Sequence, residues 1–145
     1  MFSSPQFHRS RQISATVYRD VGASTALDGA SPHKLVSLLY AALASQLAGA
    51  RGALARRDVA EKGRAISHAV RIIEEGLRAP LDMQAGGTLA ANLSDLYTYM
   101  VQRLTMANLK NDDELLAECM RLVATLHESW NDIADQVQTV PRIAS

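Results

Sequence analysis

The side chains able to do chemistry are few and poorly grouped. The four histidines are His8, His33, His68 and His127, and the single cysteine is Cys119. No glutamate has a histidine three residues later, the pairing that a di-iron helical bundle projects inward. Glu74-Glu75 and His127-Glu128 are sequence neighbours, and adjacent side chains point in different directions on a helix, so neither pair can share a ligand. There is no Cys-x-x-Cys-His, no phosphate-binding Walker loop and no Gly-x-Ser-x-Gly elbow. Gly86-Gly87 reads as a turn, the histidines as solvated polar groups, and Cys119, set among apolar neighbours, as a packing residue. No nucleophile and base can be paired, so the chain reads as a non-enzyme without metal or cofactor.

Composition excludes further classes. Fifteen Lys and Arg balance fifteen Asp and Glu, which removes the basic footprint of a nucleic-acid or polybasic membrane module. A lone cysteine forms no internal disulfide. No stretch approaches the roughly 20 apolar residues of a membrane span, and MFSSPQFHRSRQIS lacks the apolar core of a secretory signal. The expected location is the cytoplasm, with no membrane insertion and no nucleic acid bound.

The elements that would position any site are helical. Residues 1–30, rich in Ser, Arg, Gly and Thr, are expected to form a flexible arm with at most a short helix near 12–20. Ser31-Pro32 joins a preferred N-cap to a residue suited to the first helical position. Helices are expected at about 31–56, 58–80, 88–109 and 113–138, separated by Asp58, the LDMQAGG loop and the NLKNDD turn, with a tail at 139–145. Their core stripes are Leu35, Leu38, Leu39, Ala42, Gln46 and Ala50; Val59, Ile66, Val70, Ile73 and Leu77; Leu89, Leu93, Leu96, Met100 and Leu104; and Leu115, Cys119, Leu122, Leu126, Trp130, Ile133 and Val137. Nothing alternates with period two. Short connections force successive helices antiparallel, so the fold class is all-α: an up-down-up-down four-helix bundle over 31–138, its helices roughly 33–39 Å long.

A surplus of apolar groups falls off these stripes. On the first helix Val36, Tyr40, Leu43, Leu47 and Leu54 widen the apolar arc to roughly 200°. On the second, Ile72 stands off the stripe beside the small residues Ala65, Ala69 and Gly76, a pattern for a shallow groove. On the third, Tyr99 and Met106 lie opposite Leu96, Met100 and Leu104. Wide buried faces account for part of this surplus. Ile72, Tyr99 and Met106, on neighbouring helices, could instead form one partner-binding patch, for which tyrosine and methionine are suited. Periodicity leaves the two readings open.

ASPHKLVSLLY (30–40), AISHAVRIIEEGLRAPLD (65–82) and GGTLAANLSDLYTYMVQRLTMANLKND (86–112), with Trp130 near the end, together resemble the FliS family of flagellar export chaperones. The most specific part is NL-x-x-LY-x-YM followed by L-x-x-AN-x-x-ND. The resemblance covers about residues 30–137 and implies an antiparallel helical bundle. It also implies a partner, the disordered C-terminal segment of flagellin, which becomes partly helical on the bundle and is kept from premature polymerisation. The complex would then pass to the flagellar type III export apparatus. On this basis the partner-binding residues are expected to include Ile72, Tyr99, Met106, Ala65, Ala69, Gly76, Tyr40 and Leu47. The N-terminal arm, through Tyr18 and Val21, is expected to cover part of that surface. The chain departs from the family pattern in a more basic arm (His8, Arg9, Arg11), in Thr88 and in Pro80. A regulatory flagellar protein is a further partner the family allows, and a monomer or weak homodimer is expected. The alternative function is a homo-oligomeric bundle that turns the same patch on itself.

Overall fold

The computed structural model describes residues 31–139, with the side chains of 134–139 excepted. The expected arm, including Tyr18 and Val21, lies outside the described residues, as does the side chain of Val137. Four helices follow in order: α1 (Pro32–Ala55), α2 (Val59–Arg71), α3 (Gly87–Lys110) and α4 (Asp113–Thr139). A π-helical segment, Ile72–Arg78, extends α2. Among the described residues there is no strand.

Local chemistry sets the helix ends. The Ser31 hydroxyl accepts from the Lys34 amide at 3.1 Å, and Pro32 occupies the first turn, where its missing N–H costs no helical bond. Asp58 caps α2 by accepting from the Glu61 amide, and Asp112 caps α4 by accepting from that of Glu114. In the loop before α3 the Asp82 carboxylate accepts from Gln84 and Ala85 amides. A side chain at Gly86 would come within 2.6 Å of Ala90 Cβ, and Gly87 has φ +53°. The glycine pair is therefore required by the turn itself.

Lateral contacts close the four helices into a ring. α1 packs on α2 and α4, and α3 packs on α2 and α4. Arg51 near the end of α1 pairs with Asp113 at the start of α4, while His33 at the start of α1 meets Trp130 far along α4. Lys62 meets Asn108, and Arg78 meets Thr98. Each neighbouring pair is thus antiparallel, the geometry of an up-down-up-down bundle. The core is built from Leu39, Tyr40, Leu43, Leu47, Ile66, Ile72, Ile73, Tyr97, Met100, Leu104, Leu116, Cys119 and Val123.

The buried faces differ in phase from the expected stripes. In α1 the buried residues are Leu39, Tyr40, Leu43, Leu47, Ala50 and Ala53, while Leu35, Leu38, Ala42 and Gln46 are only half-buried. A helix flanked by two neighbours buries a wide arc, so the roughly 200° apolar face of α1 is core. Leu116 and Val123 of α4 are likewise fully buried. At the bundle ends the expected core residues Val59, Leu89 and Ile133 are exposed.

Candidate partner-binding surface

The structure divides the expected site residues sharply. Tyr40, Leu47, Ala65, Ala69, Ile72 and Gly76 are all buried. They form no outer groove. Ile72 is the instructive case, because both it and Ile73 are 0% exposed. Ile72 stands three residues after buried Ala69 and seven after buried Ala65, so it continues the inward row of α2 into the π-helical segment, where the Ala79 amide donates to the Glu74 carbonyl at 3.0 Å. Adjacent side chains are both buried elsewhere in the bundle, as at Leu39-Tyr40 and Ala65-Ile66, because each helix faces two neighbours and buries a wide arc. Ala65, Ala69 and Gly76 line the inner side of α2 and its extension, where small side chains let neighbouring helices come close. Tyr40 is held by a hydrogen bond between its hydroxyl and that of Tyr97, O···O 2.6 Å, and both rings are in the core. Burial pushes both phenols above the ordinary tyrosine range.

Tyr99 and Met106 meet the expectation of exposure, at 38% and 39%. They stand on the outward face of α3 among exposed Asn92, Asp95 and Gln102. The Tyr99 ring is anchored there. Its hydroxyl donates to Glu118 Oε2 at 2.5 Å, and Arg103 Nε donates to Glu118 Oε1 at 2.8 Å. The Arg103 guanidinium also lies over the ring, 5.4 Å from its centroid, a cation–π arrangement. The two donors hold the Glu118 carboxyl below its ordinary value, and the bond to Glu118 raises the Tyr99 phenol. With its polar tip satisfied, Tyr99 presents an apolar ring of fixed orientation. That rigidity lowers the entropy lost when a partner covers it. Met106 supplies an adaptable contact two turns along.

Sequence reasoning missed Glu118 and Arg103. Arg103, four residues after Tyr99, was visible as an i, i+4 neighbour, whereas Glu118 reaches Tyr99 only because α3 and α4 fold back on each other. It also missed a clasp between α1 and α4. His33 stacks on Trp130 with ring centroids 4.5 Å apart, His33 Nε2 donates to the Trp130 carbonyl at 2.7 Å, and Trp130 Nε1 donates to the His33 carbonyl at 2.9 Å. The Ser37 hydroxyl donates to Asn131 Oδ1 and is bonded to His127 Nε2 at 2.9 Å. Of the four histidines expected to be solvated, His33, His68 and His127 are half-buried, His33 and His127 being engaged in joining these helices, and His8 lies outside the described residues. Among the described residues, no group of three His, Cys, Asp or Glu side chains could hold a metal ion, and no helix is long and apolar enough to cross a membrane.

The profile of a protein family described as "Flagellar protein FliS" matches residues 14–137. The chain is 43% identical over 117 residues to the flagellar secretion chaperone FliS of Salmonella typhimurium, covering 81% of this chain and 87% of that protein. It is 42% identical over 117 residues to the flagellar secretion chaperone FliSB of Pseudomonas aeruginosa, with 81% and 92% covered. Over 115 residues it is 30% identical to the corresponding Bacillus subtilis chaperone, with 79% and 81% covered.

The chain belongs to the FliS family. Much of the pattern that carried the resemblance serves the fold: Tyr40, Tyr97 and Met100 are core residues, and Asp112 is a helix cap. Tyr99 is the exception, since the same short motif places it on the surface between buried Tyr97 and Met100. Membership of a chaperone family also agrees with the non-enzyme reading.

Proposed function

We propose that this chain is a cytoplasmic export chaperone that binds the disordered C-terminal segment of flagellin and delivers it to the flagellar type III export apparatus. The family membership and the description of its relatives as flagellar secretion chaperones support the class. The observation that carries the client-binding part is the exposure of an anchored Tyr99 and of Met106, two turns apart on the outer face of α3. A client segment becoming helical would lay its apolar side against such a face. Ordering that segment uses about 2–5 kcal/mol of the interaction energy, which keeps a large contact releasable. The N-terminal arm, through Tyr18 and Val21, is proposed to cover part of the same surface in the free protein.

Calorimetry with a peptide of the flagellin C-terminal segment tests this. Tyr99→Ala and Met106→Ala should each weaken binding, with Tyr99→Ala losing about tenfold or more as a central aromatic anchor. Both variants should unfold close to the wild-type temperature. Unchanged affinity in folded variants would remove the α3 face from the site. Deleting residues 1–24 should leave the bundle folded and the affinity no weaker. Sedimentation without peptide distinguishes the homo-oligomeric alternative, in which Tyr99→Ala would dissociate a dimer.

A further inference from the structure

Two turns meet at one end of the bundle, α1–α2 and α3–α4, and a pocket of about 400 Å³ lies between them, lined by Leu54, Arg57, Asp58, Val59, Lys62 and Asn111. α1 ends in a Schellman motif. The Asp58 amide donates to the Ala53 carbonyl at 2.8 Å and the Arg57 amide to that of Leu54 at 3.0 Å. The residue at its left-handed position is normally glycine. Here it is Arg57, at φ +60°, where a Cβ crowds the backbone. The second left-handed position is Asn111, φ +53°, in the turn after α3. These are the two non-glycine residues with positive φ among the described residues, and both line this pocket. Asparagine tolerates the conformation and arginine does so poorly, so the turn keeps a long cationic side chain where the backbone favours none. Strain of this kind is held at functional positions.

The surroundings indicate what would enter. Val59 is 64% exposed, and Leu109, at the end of α3, is 78% exposed. Lys62 lies buried at the side of the pocket, its ammonium donating to the Asn108 carbonyl at 2.9 Å and to Asn111 Oδ1. With Lys62 so engaged, Arg56 and Arg57 of the first turn and Lys110 at the end of α3 stand against the carboxylates Asp58 and Asp112. Both carboxylates are already engaged as helix caps. Nearby Glu61, Asp113 and Glu114 are paired with Arg64, Arg51 and Arg121. Complementarity therefore asks for an anionic occupant with an apolar side chain. In the chain's own arm, Leu27-Asp28 lies within five residues of Pro32, too short a reach for the roughly 36 Å along α1 to this pocket, and Asp20-Val21 is flanked by Arg19. Residues 1–30 carry Arg9, Arg11 and Arg19 against Asp20 and Asp28, and residues 140–145 carry Arg142 alone.

We propose that this pocket docks a short acidic segment of a partner protein, with an aliphatic side chain between Leu54 and Val59 and an adjoining carboxylate on Arg57. The surface is separate in composition from the α3 face assigned to the client. It gives the chaperone a second contact at the end of the bundle.

The test uses the full-length, isotope-labelled protein and a short blocked peptide alternating leucine with aspartate, followed by amide chemical shifts. Saturable shifts are expected at Arg57, Val59 and Asn111, weakening as salt is raised. The same peptide with asparagine in place of aspartate should bind at least about tenfold more weakly. Arg57→Gly relieves the backbone conformation and should raise the melting temperature by about 3 °C, while weakening the acidic peptide about tenfold. Unchanged binding by Arg57→Gly, shifts spread away from the pocket, or equal binding of the asparagine peptide would overturn the proposal. So would sedimentation showing these residues covered by a second copy of the chain. Flagellin peptide binding by Arg57→Gly should be unaltered, so failure here is distinguishable from failure of the client reading.

Discussion

Replacing Tyr97 by phenylalanine removes one hydroxyl from the pair that Tyr97 forms with Tyr40. The two oxygens are 2.6 Å apart and the residues are 2% and 3% exposed, so water cannot readily replace the lost partner. A buried polar group left unpaired costs about 1–3 kcal/mol. For a bundle of this size that corresponds to a fall in melting temperature of about 4–12 °C. Tyr40→Phe should cost a similar amount, because it strands the other hydroxyl. The double variant strands neither and should recover most of the loss, so the coupling energy, the double's cost minus both single costs, has a magnitude of about 2–6 kcal/mol. Urea denaturation of the four proteins, with a common slope, gives the cycle directly. Additive losses in the double variant would refute the reasoning, since they would mean that each hydroxyl acts independently of the other. Single variants as stable as wild type would refute it too, by showing that the core rehydrates the remaining phenol.

Ile72→Ala should destabilise the bundle by about 2–5 kcal/mol through the cavity it leaves, measured by chemical denaturation; a cost near zero would return Ile72 to the surface. The Glu118 carboxyl, held below its ordinary 4.5 by Tyr99 and Arg103, adds stability above its unfolded pKa and loses it as pH falls through the lower folded one. Melting temperatures followed from neutral pH into the range below 4.5 should therefore fall more steeply for wild type than for Glu118→Gln. Parallel profiles would show that the Tyr99–Glu118–Arg103 cluster contributes nothing in solution.

The helices could be read from local chemistry because the signals that start and stop them are local. Ser31-Pro32, Asp58, the glycine pair and Asp112 each act on amides within a few residues of themselves. Successive antiparallel packing then follows from short connections. The inward phase of each helix was less legible. Tyr40 and Leu47 fall off the expected stripe of α1 because periodicity gives the width of an apolar arc, whereas packing between α2 and α4 sets where its centre points. Ile72 falls off the expected stripe because α2 also packs between two neighbours and buries the Ala65–Ala69–Ile72 row beside the Ile66–Ile73 one.

Of the candidate surface, the sequence by itself determined that Tyr99 and Met106 leave the core stripe of α3, since one helix's periodicity is sufficient for that. Tertiary structure decided the rest. It buried Ala65, Ala69, Ile72 and Gly76, brought Glu118 to Tyr99 across the α3–α4 turn, and set Arg57 beside Lys62 and Asn111 at the end of the bundle. These are contacts between residues far apart along the chain. Their existence depends on how helices rotate about their own axes as they pack, a choice made by the whole core and not written in any one segment.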